Sequence, residues 1–254
     1  TNGSKINGTI NFRNLLGSKE QKFSMDGKFS KLLSSYDDLV VLLPRVLGKR
    51  LPKEMKRIGK FNIVGKAKVS TIALETAFKI ATDVGNGEVD LHLNNMDFID
   101  KASYSGNIIL NNFDVGAVLN RKDIGKTTLN LDVDGVGFTE KYLNTVIKGD
   151  ISKLDYNKYT YNNIVVNGNF KLPYYKGQIA INDPNLNLNF DGLLDLSKRE
   201  NRYDFHINVE NSDLRKLKFI NDSISHFRGD VVVQLTGNSI ENLQGDIFIK
   251  DAEY

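Results

Sequence analysis

Strict alternation of apolar and polar residues is the feature that most constrains what this chain can fold into. The stretches Leu129-Asn130-Leu131-Asp132-Val133-Asp134 and Leu186-Asn187-Leu188-Asn189-Phe190 show the pattern most clearly. A period of two residues is typical of a β-strand with one apolar and one polar face. Roughly fourteen such runs, separated by turns rich in Asn, Asp and Gly, predict a mainly β chain of antiparallel strands.

A glycine repeat lies beneath this alternation. Glycine opens many strands, with apolar residues at the second and fourth positions beyond it, as in Gly106 with Ile108 and Leu110. Several neighbouring glycines are 19 residues apart, among them Gly87, Gly106 and Gly125. Because this interval fits one pair of strands, the repeating unit is predicted to be a hairpin. A glycine on the apolar face would let a strand bend or another backbone approach, although any single one could be a simple turn glycine.

One segment, residues 31–59, departs from the alternation. Its apolar residues recur at three- and four-residue spacing, which predicts a helix from Lys31 that Pro44 interrupts, and then a short helix from Pro52 to Arg57. The expected organisation is therefore a β segment at 1–30, a helical insert at 31–59 and a β segment at 60–254 that continues the same sheet.

The helical insert has two possible roles. Its apolar residues could seal an edge of the sheet. Alternatively, its basic residues could contact lipid headgroups or a membrane surface. The basic residues in question are Arg45, Lys49, Arg50, Lys53, Lys56 and Arg57.

Several kinds of chemistry have no support in the sequence. The chain has no cysteine, which excludes thiolate metal sites, cysteine nucleophiles and disulfides. The net charge of +3 in 254 residues is too small to indicate nucleic acid as a partner. His92, His206 and His226 fall on the polar side of the alternation and lack metal-ligand spacing. We therefore predict a protein that is not an enzyme, with no catalytic residue, metal or cofactor.

The apolar face must be buried against something. The sheet could fold on itself as an ordinary filled core, or it could curl into an open groove that an apolar ligand fills. The predicted inward residues are mostly medium-sized aliphatic ones, which favours a groove for acyl chains. The candidate lining residues are Ile10, Phe12, Val69, Val89, Leu91, Leu93, Ile108, Leu110, Leu129, Leu131, Val133, Ile151, Phe170, Ile179, Ile181, Leu186, Leu188, Phe190, Leu194, Leu196, Phe205, Ile207, Val209, Val231, Val233, Leu235, Ile247 and Ile249.

Two consecutive stretches, residues 113–119 (FDVGAVL) and 125–135 (GKTTLNLDVDG), resemble the AsmA-like superfamily. Further stretches are similar to its TamB branch, and they are Gly149-Asp150-Ile151, residues 156–164 (YNKYTYNNI), Asp183-Pro184-Asn185-Leu186, Phe190-Asp191-Gly192, Leu42-Leu43-Pro44 and Leu51-Pro52-Lys53-Glu54. The resemblance covers most of the chain.

This resemblance implies a protein of the Gram-negative periplasm, anchored in the inner membrane by a helix outside this sequence. The implied fold is a tall β-taco, a curled sheet with a hydrophobic groove. The implied role is bridge-like transfer of phospholipid between inner and outer membranes, with a BamA-family outer-membrane barrel as partner. Because the alternation is already under way at the first residues and stops just short of the last, we expect the chain to be an internal part of a longer protein.

A second function from a different class stays open. The chain could be a structural or chaperone-like module that assists outer-membrane protein assembly. Such a module would use exposed strand edges to pair with an incoming polypeptide, which is β-augmentation.

Overall fold

The computed structural model describes residues 3–14, 23–42, 53–139, 141–171, 173–196, 199–221 and 225–254. It confirms the predicted mainly β class, with antiparallel hairpins and a short helical insert. The described residues form fourteen strands, close to the number of alternating runs in the sequence. The chain divides into two compact units, Thr1–Leu143 and Asn144–Tyr254, at a boundary that the alternation does not mark. The expected continuation of one sheet through residues 60–254 stays a prediction.

The first unit contains seven strands in sequence order. They are β1 (Lys5–Arg13), β2 (Ser24–Ser35), β3 (Lys60–Ser70), β4 (Ala73–Thr82), β5 (Gly85–Asn94), β6 (Ser103–Asp114) and β7 (Ile124–Val136). Each strand pairs antiparallel with the next one along the chain. The connections contain helix α1 (Tyr36–Leu42), helix α2 (Val115–Leu119) and two 3₁₀ helices, Lys53–Ile58 and Met96–Lys101.

The second unit repeats this arrangement with seven further strands. They are β8 (Asn144–Tyr156), β9 (Tyr159–Lys171), β10 (Tyr174–Asp183), β11 (Leu186–Asp195), β12 (Arg202–Ser212), β13 (Arg228–Thr236) and β14 (Gln244–Glu253). Each again pairs antiparallel with its successor. A 3₁₀ helix, Ile240–Asn242, connects β13 to β14.

The strand register places the alternating apolar residues in rows. Val89 of β5 lies opposite Ile108 of β6, which lies opposite Leu131 of β7. Directly opposed residues on antiparallel strands point to the same face of a sheet. The period-two pattern therefore becomes, within each unit, an inner face of aliphatic residues and an outer face of polar ones.

The predicted start of the helix at Lys31 is wrong, because β2 continues to Ser35 and α1 begins only at Tyr36. The hydroxyl of Ser35 accepts a hydrogen bond from the backbone N–H of Asp38 at 3.3 Å, which is the N-cap arrangement that starts a helix. Asp37 and Asp38 also lie in the first turn, where negative charge is favourable next to the helix dipole.

A β-bulge explains why the end of β2 has the spacing of a helix. Phe29 pairs with Gly65, whereas Leu32 pairs with Ile63, so β2 contains one extra residue between these pairs. Phe29 and Leu32 are consequently both buried on the inner face although they are three residues apart. A three-residue spacing of buried positions is also the signature of a helix, and the sequence pattern alone does not separate the two cases.

The second predicted helix, from Pro52 to Arg57, is found as the 3₁₀ helix Lys53–Ile58. Pro52 itself, and the predicted interruption at Pro44, lie outside the described residues. Helix α2 and the 3₁₀ helices Met96–Lys101 and Ile240–Asn242 were not expected from the sequence.

Gly192 shows why glycine recurs on the inner face. Its φ is +149°, a backbone conformation that residues with a side chain rarely adopt. A Cβ atom at this position would lie 2.4 Å from the carbonyl oxygen of Asp204 and 2.4 Å from Cα of Phe205. The structure thus confirms, at this position, that the missing side chain lets a neighbouring backbone approach.

We expect Gly192→Ala to lower the free energy of unfolding by about 2 kcal/mol or more, through strain at positive φ and the clash with β12. Urea unfolding followed by circular dichroism measures this effect. Gly229→Ala in β13 is the matched control, because its Cβ would come no closer than 3.2 Å to another heavy atom. Equal losses for the two variants would contradict the close-approach explanation.

Candidate apolar groove

Most of the predicted lining residues are half-buried. This group comprises Ile10, Val89, Leu91, Leu93, Ile108, Leu110, Leu129, Leu131, Val133, Ile151, Phe170, Ile179, Ile181, Leu188, Leu194, Phe205, Ile207, Val231 and Leu235. In a filled sandwich, aliphatic residues of an inner face are usually fully buried. Here protein atoms cover these side chains only in part, which leaves apolar surface for another occupant.

Other predicted lining residues differ from this majority. Val69, Leu186, Phe190, Val209 and Val233 are buried. Phe12, Leu196, Ile247 and Ile249 are exposed, and Leu196 lies just after β11. In the first unit the inner face therefore changes from buried at β3 to partly open at β5, β6 and β7, whereas in the second unit buried and half-buried residues are interspersed.

The filled part of the first unit lies on β2 and β3. A buried cluster here includes Met25, Phe29, Phe61 and Val69, with Ile58 of the 3₁₀ helix packed into it. These side chains already bury one another, so they form an ordinary hydrophobic core. The open part of this unit lies on β5, β6 and β7.

The insert takes part in this core on the interior strands β2 and β3, and the sealing of a sheet edge stays a prediction. Besides Ile58, Leu39 of α1 and Met55 pack against the cluster. Arg57 donates a hydrogen bond to the carbonyl oxygen of Val118 in α2 at 2.8 Å, and Lys56 pairs with Asp37 at 3.0 Å. Two of the predicted headgroup residues therefore have partners within the protein.

Lys53, the third described member of that basic set, is exposed. Arg45, Lys49 and Arg50 lie outside the described residues. Headgroup contact by the insert stays a prediction.

Three aromatic rings cross the inner face of the second unit. Tyr175 and Phe190 have ring centroids 6.1 Å apart, and Phe190 and Phe205 have centroids 5.4 Å apart. These spacings lie in the range of favourable aromatic pairs. Phe205 lies directly opposite Gly192, where the close approach of the β12 backbone leaves no room for a side chain.

A segment that the sequence analysis did not single out covers one end of this inner face. Residues 213–220, which we call the plug segment, follow β12 and place Leu217 at 1% exposure. Leu217 forms one buried cluster with Tyr161, Ile164 and Leu186. The only sequence signal for it was a short run without alternation, in which Leu214, Leu217 and Phe219 stand among basic residues.

A buried carboxylate fixes the same end of the second unit. Asp183 is 4% exposed and accepts hydrogen bonds from the Tyr159 hydroxyl, from the backbone and side-chain amides of Asn162 at 2.9 and 2.8 Å, and from the Asn185 backbone at 2.9 Å. Burial by itself would raise the pKa of Asp183, but these hydrogen bonds outweigh it and lower the pKa below its ordinary value. Burial and the bond to Asp183 raise the pKa of Tyr159.

Asp213 secures the start of the plug segment. Its carboxylate accepts hydrogen bonds from the backbone N–H of Lys216 at 3.1 Å and from the Ser225 hydroxyl at 2.9 Å. Nζ of Lys216 lies 3.3 Å away, and Nε2 of His226 lies 3.9 Å away. The bond from the Lys216 backbone, ahead of an opposing effect of burial, lowers the pKa of Asp213 to about 2.

This lowered pKa predicts a pH dependence of stability. A carboxyl whose pKa is lower in the folded state stabilises the fold above its unfolded pKa, and this contribution is lost as pH falls through the folded value. We expect the urea midpoint to fall as pH is lowered from about 4 to about 2, and to fall less steeply in Asp213→Asn. Asp191→Asn, on the exposed outer face, should keep the wild-type slope. An unchanged slope in Asp213→Asn would contradict the assignment.

The outer face carries polar pairs between neighbouring strands. Lys79 contacts Glu88 at 2.9 Å, and Nε2 of His206 lies 2.8 Å from Asp230. A concavity of about 530 Å³ on the second unit has mainly outward-facing polar residues in its wall, including Lys148 and Asp191. Val165, Ala180 and other apolar residues nevertheless make up most of the exposed surface of this wall, so the outer face also carries an apolar concavity.

Within the described ranges, no group of three or more His, Asp or Glu residues is placed to hold a metal ion. In the same ranges, no helix has both the length and the apolar character needed to cross a bilayer.

Comparisons with family models, with curated proteins and with solved structures found no match to this chain. Membership of the AsmA-like superfamily and its TamB branch therefore stays a prediction that rests on the sequence motifs alone. The half-buried rows of the inner face are accordingly the main basis on which we propose a function.

Proposed function

We propose that this chain is a lipid-conducting segment, in which the inner faces of the two units bind the acyl chains of phospholipids. The observation that carries the proposal is the half-buried state of Val89, Ile108 and Leu131 and of the other residues in their rows. Each methylene that leaves water for such a surface contributes about 0.8 kcal/mol. An acyl chain laid along several strands would thus gain substantial binding free energy.

The resemblance places this activity in the periplasm of a Gram-negative envelope, between inner and outer membrane. There the chain would belong to an inner-membrane-anchored protein, with membrane contacts made by other parts of it. A BamA-family barrel would be its outer-membrane partner. The proposal includes no catalytic step, since binding and release of lipid need none.

Acyl-chain labelling tests the proposal on the unaltered protein. The chain is mixed with vesicles of phosphatidylethanolamine and phosphatidylglycerol that contain a phosphatidylcholine with a diazirine on its acyl chain. After photolysis, peptide mass spectrometry identifies the labelled residues. We expect labels on Val89, Ile108 and Leu131, and few on the outward residues Asn130 and Asp132. Labels spread equally over both faces, or none on the inner face, would contradict an acyl groove.

The second candidate function, a module that assists membrane-protein assembly, would need an apolar free strand edge of the kind that β14 has within this sequence. Ile247, Phe248 and Ile249 of β14 are 54%, 54% and 58% exposed. β14 pairs with β13 along one edge, and no strand among the described residues pairs with the other. An apolar, unpaired strand edge can add a strand from another polypeptide. Photo-reactive groups at Phe248 would capture unfolded outer-membrane protein in that case, whereas the lipid proposal requires no such capture.

A further inference from the structure

The plug segment places an aliphatic side chain where the proposed groove should hold lipid. Leu217 is 1% exposed and lies in one cluster with Tyr161, Ile164 and Leu186. Half-buried lining residues pack against this cluster, and they are Ile151, Ile179, Ile181 and Leu188. Together with Tyr161 and Ile164, these residues come from the four strands β8 to β11, so the cluster spans the inner face at the end where β10 turns into β11.

The contact between Leu217 and its cluster is aliphatic, as a contact with an acyl chain would be. The Leu217 side chain is a branched four-carbon group, and its cluster contains Leu186 and contacts other aliphatic residues that the groove proposal assigns to lipid. We propose that the plug segment is a built-in occupant of the groove in the second unit, and that acyl chains reach this end only when the segment is displaced. This inference rests on the proposed function and adds a point of control to it.

Most hydrogen bonds of the plug segment lie within the segment itself, which would allow it to move away from the inner face. Among the residues that follow Asp213 in the segment, Leu217 is the buried one, while Arg215, Lys216, Lys218 and Phe219 are exposed. Its hydrogen bonds are local. Leu217 N donates to Asp213 O at 3.0 Å, and Phe219 N donates to Leu214 O at 2.9 Å. Displacing the segment therefore breaks these turn contacts and the bond from Lys216 to Asp213, and it uncovers Leu217 together with its cluster partners, while the strand ladders remain.

The start of the segment has hydrogen bonds to residues outside it. Asp213 N donates to Asn185 O at 2.9 Å, and Leu214 N donates to Ser225 O at 2.7 Å. The Asp213 carboxylate adds a bond from the Ser225 hydroxyl, whereas its bond from the Lys216 backbone belongs to the part that would move. Asp213 and Leu214 would accordingly stay in place while the residues after them move. Leu217 would return to its cluster once lipid has left.

Acyl-chain labelling with the diazirine vesicles separates the plug from the groove. In the wild-type protein we expect labels on Leu131 of the first unit and on Ile207 and Val231 of the second, with several-fold fewer on Ile179 and Ile181. Leu217→Ala should raise labelling at Ile179 and Ile181 several-fold and leave Leu131 unchanged. Arg215→Ala, an exposed change in the same segment, should keep the wild-type pattern.

Wild-type labelling at Ile181 as strong as at Leu131 would overturn the plug and leave the groove standing. Labelling nowhere on the inner face, in any variant, would overturn both. Hydrogen exchange of the unaltered protein gives an independent readout that does not depend on how Leu217→Ala folds. Lipid should speed exchange at the Leu217 and Phe219 amides, while slower or unchanged exchange in lipid-loaded protein would contradict displacement.

Discussion

Leu131→Asp is expected to reduce the phospholipid bound by the chain at least about tenfold. Leu131 lies in the middle of the row formed with Ile108 and Val89, and its side chain is half-buried on the open part of the first unit. A carboxylate covered by acyl chains would lose its hydration without gaining a partner, which costs several kcal/mol. Since about 1.4 kcal/mol changes an equilibrium constant tenfold, the loss of binding should be large.

Asn130→Asp is the matched control for this prediction. Asn130 is the neighbouring residue, it is exposed on the outer face, and its side-chain oxygen accepts a hydrogen bond from Asn107 at 2.8 Å, which an aspartate can also accept. The control adds the same charge to the same strand on the opposite face. Bound lipid is measured by organic extraction, after circular dichroism has shown that both variants are folded. Equal lipid in both folded variants would contradict binding on the inner face.

Asp183→Ala is expected to cause the largest loss of stability, about 3 kcal/mol. The substitution leaves the Tyr159 hydroxyl and the amides of Asn162 and Asn185 without the acceptor they share. These donors are half-buried, and a donor that loses its acceptor in such a place retains part of the cost of desolvation. The turn from β10 to β11 and the adjoining Leu217 cluster should loosen together, and urea unfolding measures the combined effect.

Asp150→Ala serves as the control for this loss. Asp150 is an exposed aspartate of β8 on the outer face, and removal of such a side chain usually changes stability by less than about 0.5 kcal/mol. A loss for Asp183→Ala as small as that of the control would show that its hydrogen bonds contribute little to the fold.

The alternation predicted the strands well because each side chain of a strand obeys the same local rule. Leu129, Leu131 and Val133 could be assigned to one face from the sequence alone, and the register confirms that they share it with Leu110, Ile108 and Gly106 of β6. The half-buried state of these residues could not be predicted in this way. Exposure depends on what covers a face, and a period-two pattern is the same in an open sheet and in a closed one.

The features that the sequence analysis predicted wrongly or missed have equally specific causes. The bulge in β2 brings Phe29 and Leu32 to one face at a three-residue spacing, so the end of a strand took on the pattern of a helix. The role of Leu217 depends on contacts with strands that lie far from it in sequence, such as β8 and β9, and no local signal encodes such contacts. The boundary between the units at Leu143 likewise results from contacts between distant residues.

Native mass spectrometry of the unaltered chain, followed by organic extraction and lipid identification, shows whether the inner face holds phospholipid. We expect a folded protein that carries phospholipid after purification from a lipid-containing source, and that binds it again from vesicles after delipidation. A folded protein that stays free of lipid under both conditions would contradict lipid binding on the inner face. In that case the half-buried aliphatic rows would be the inner face of a structural sheet.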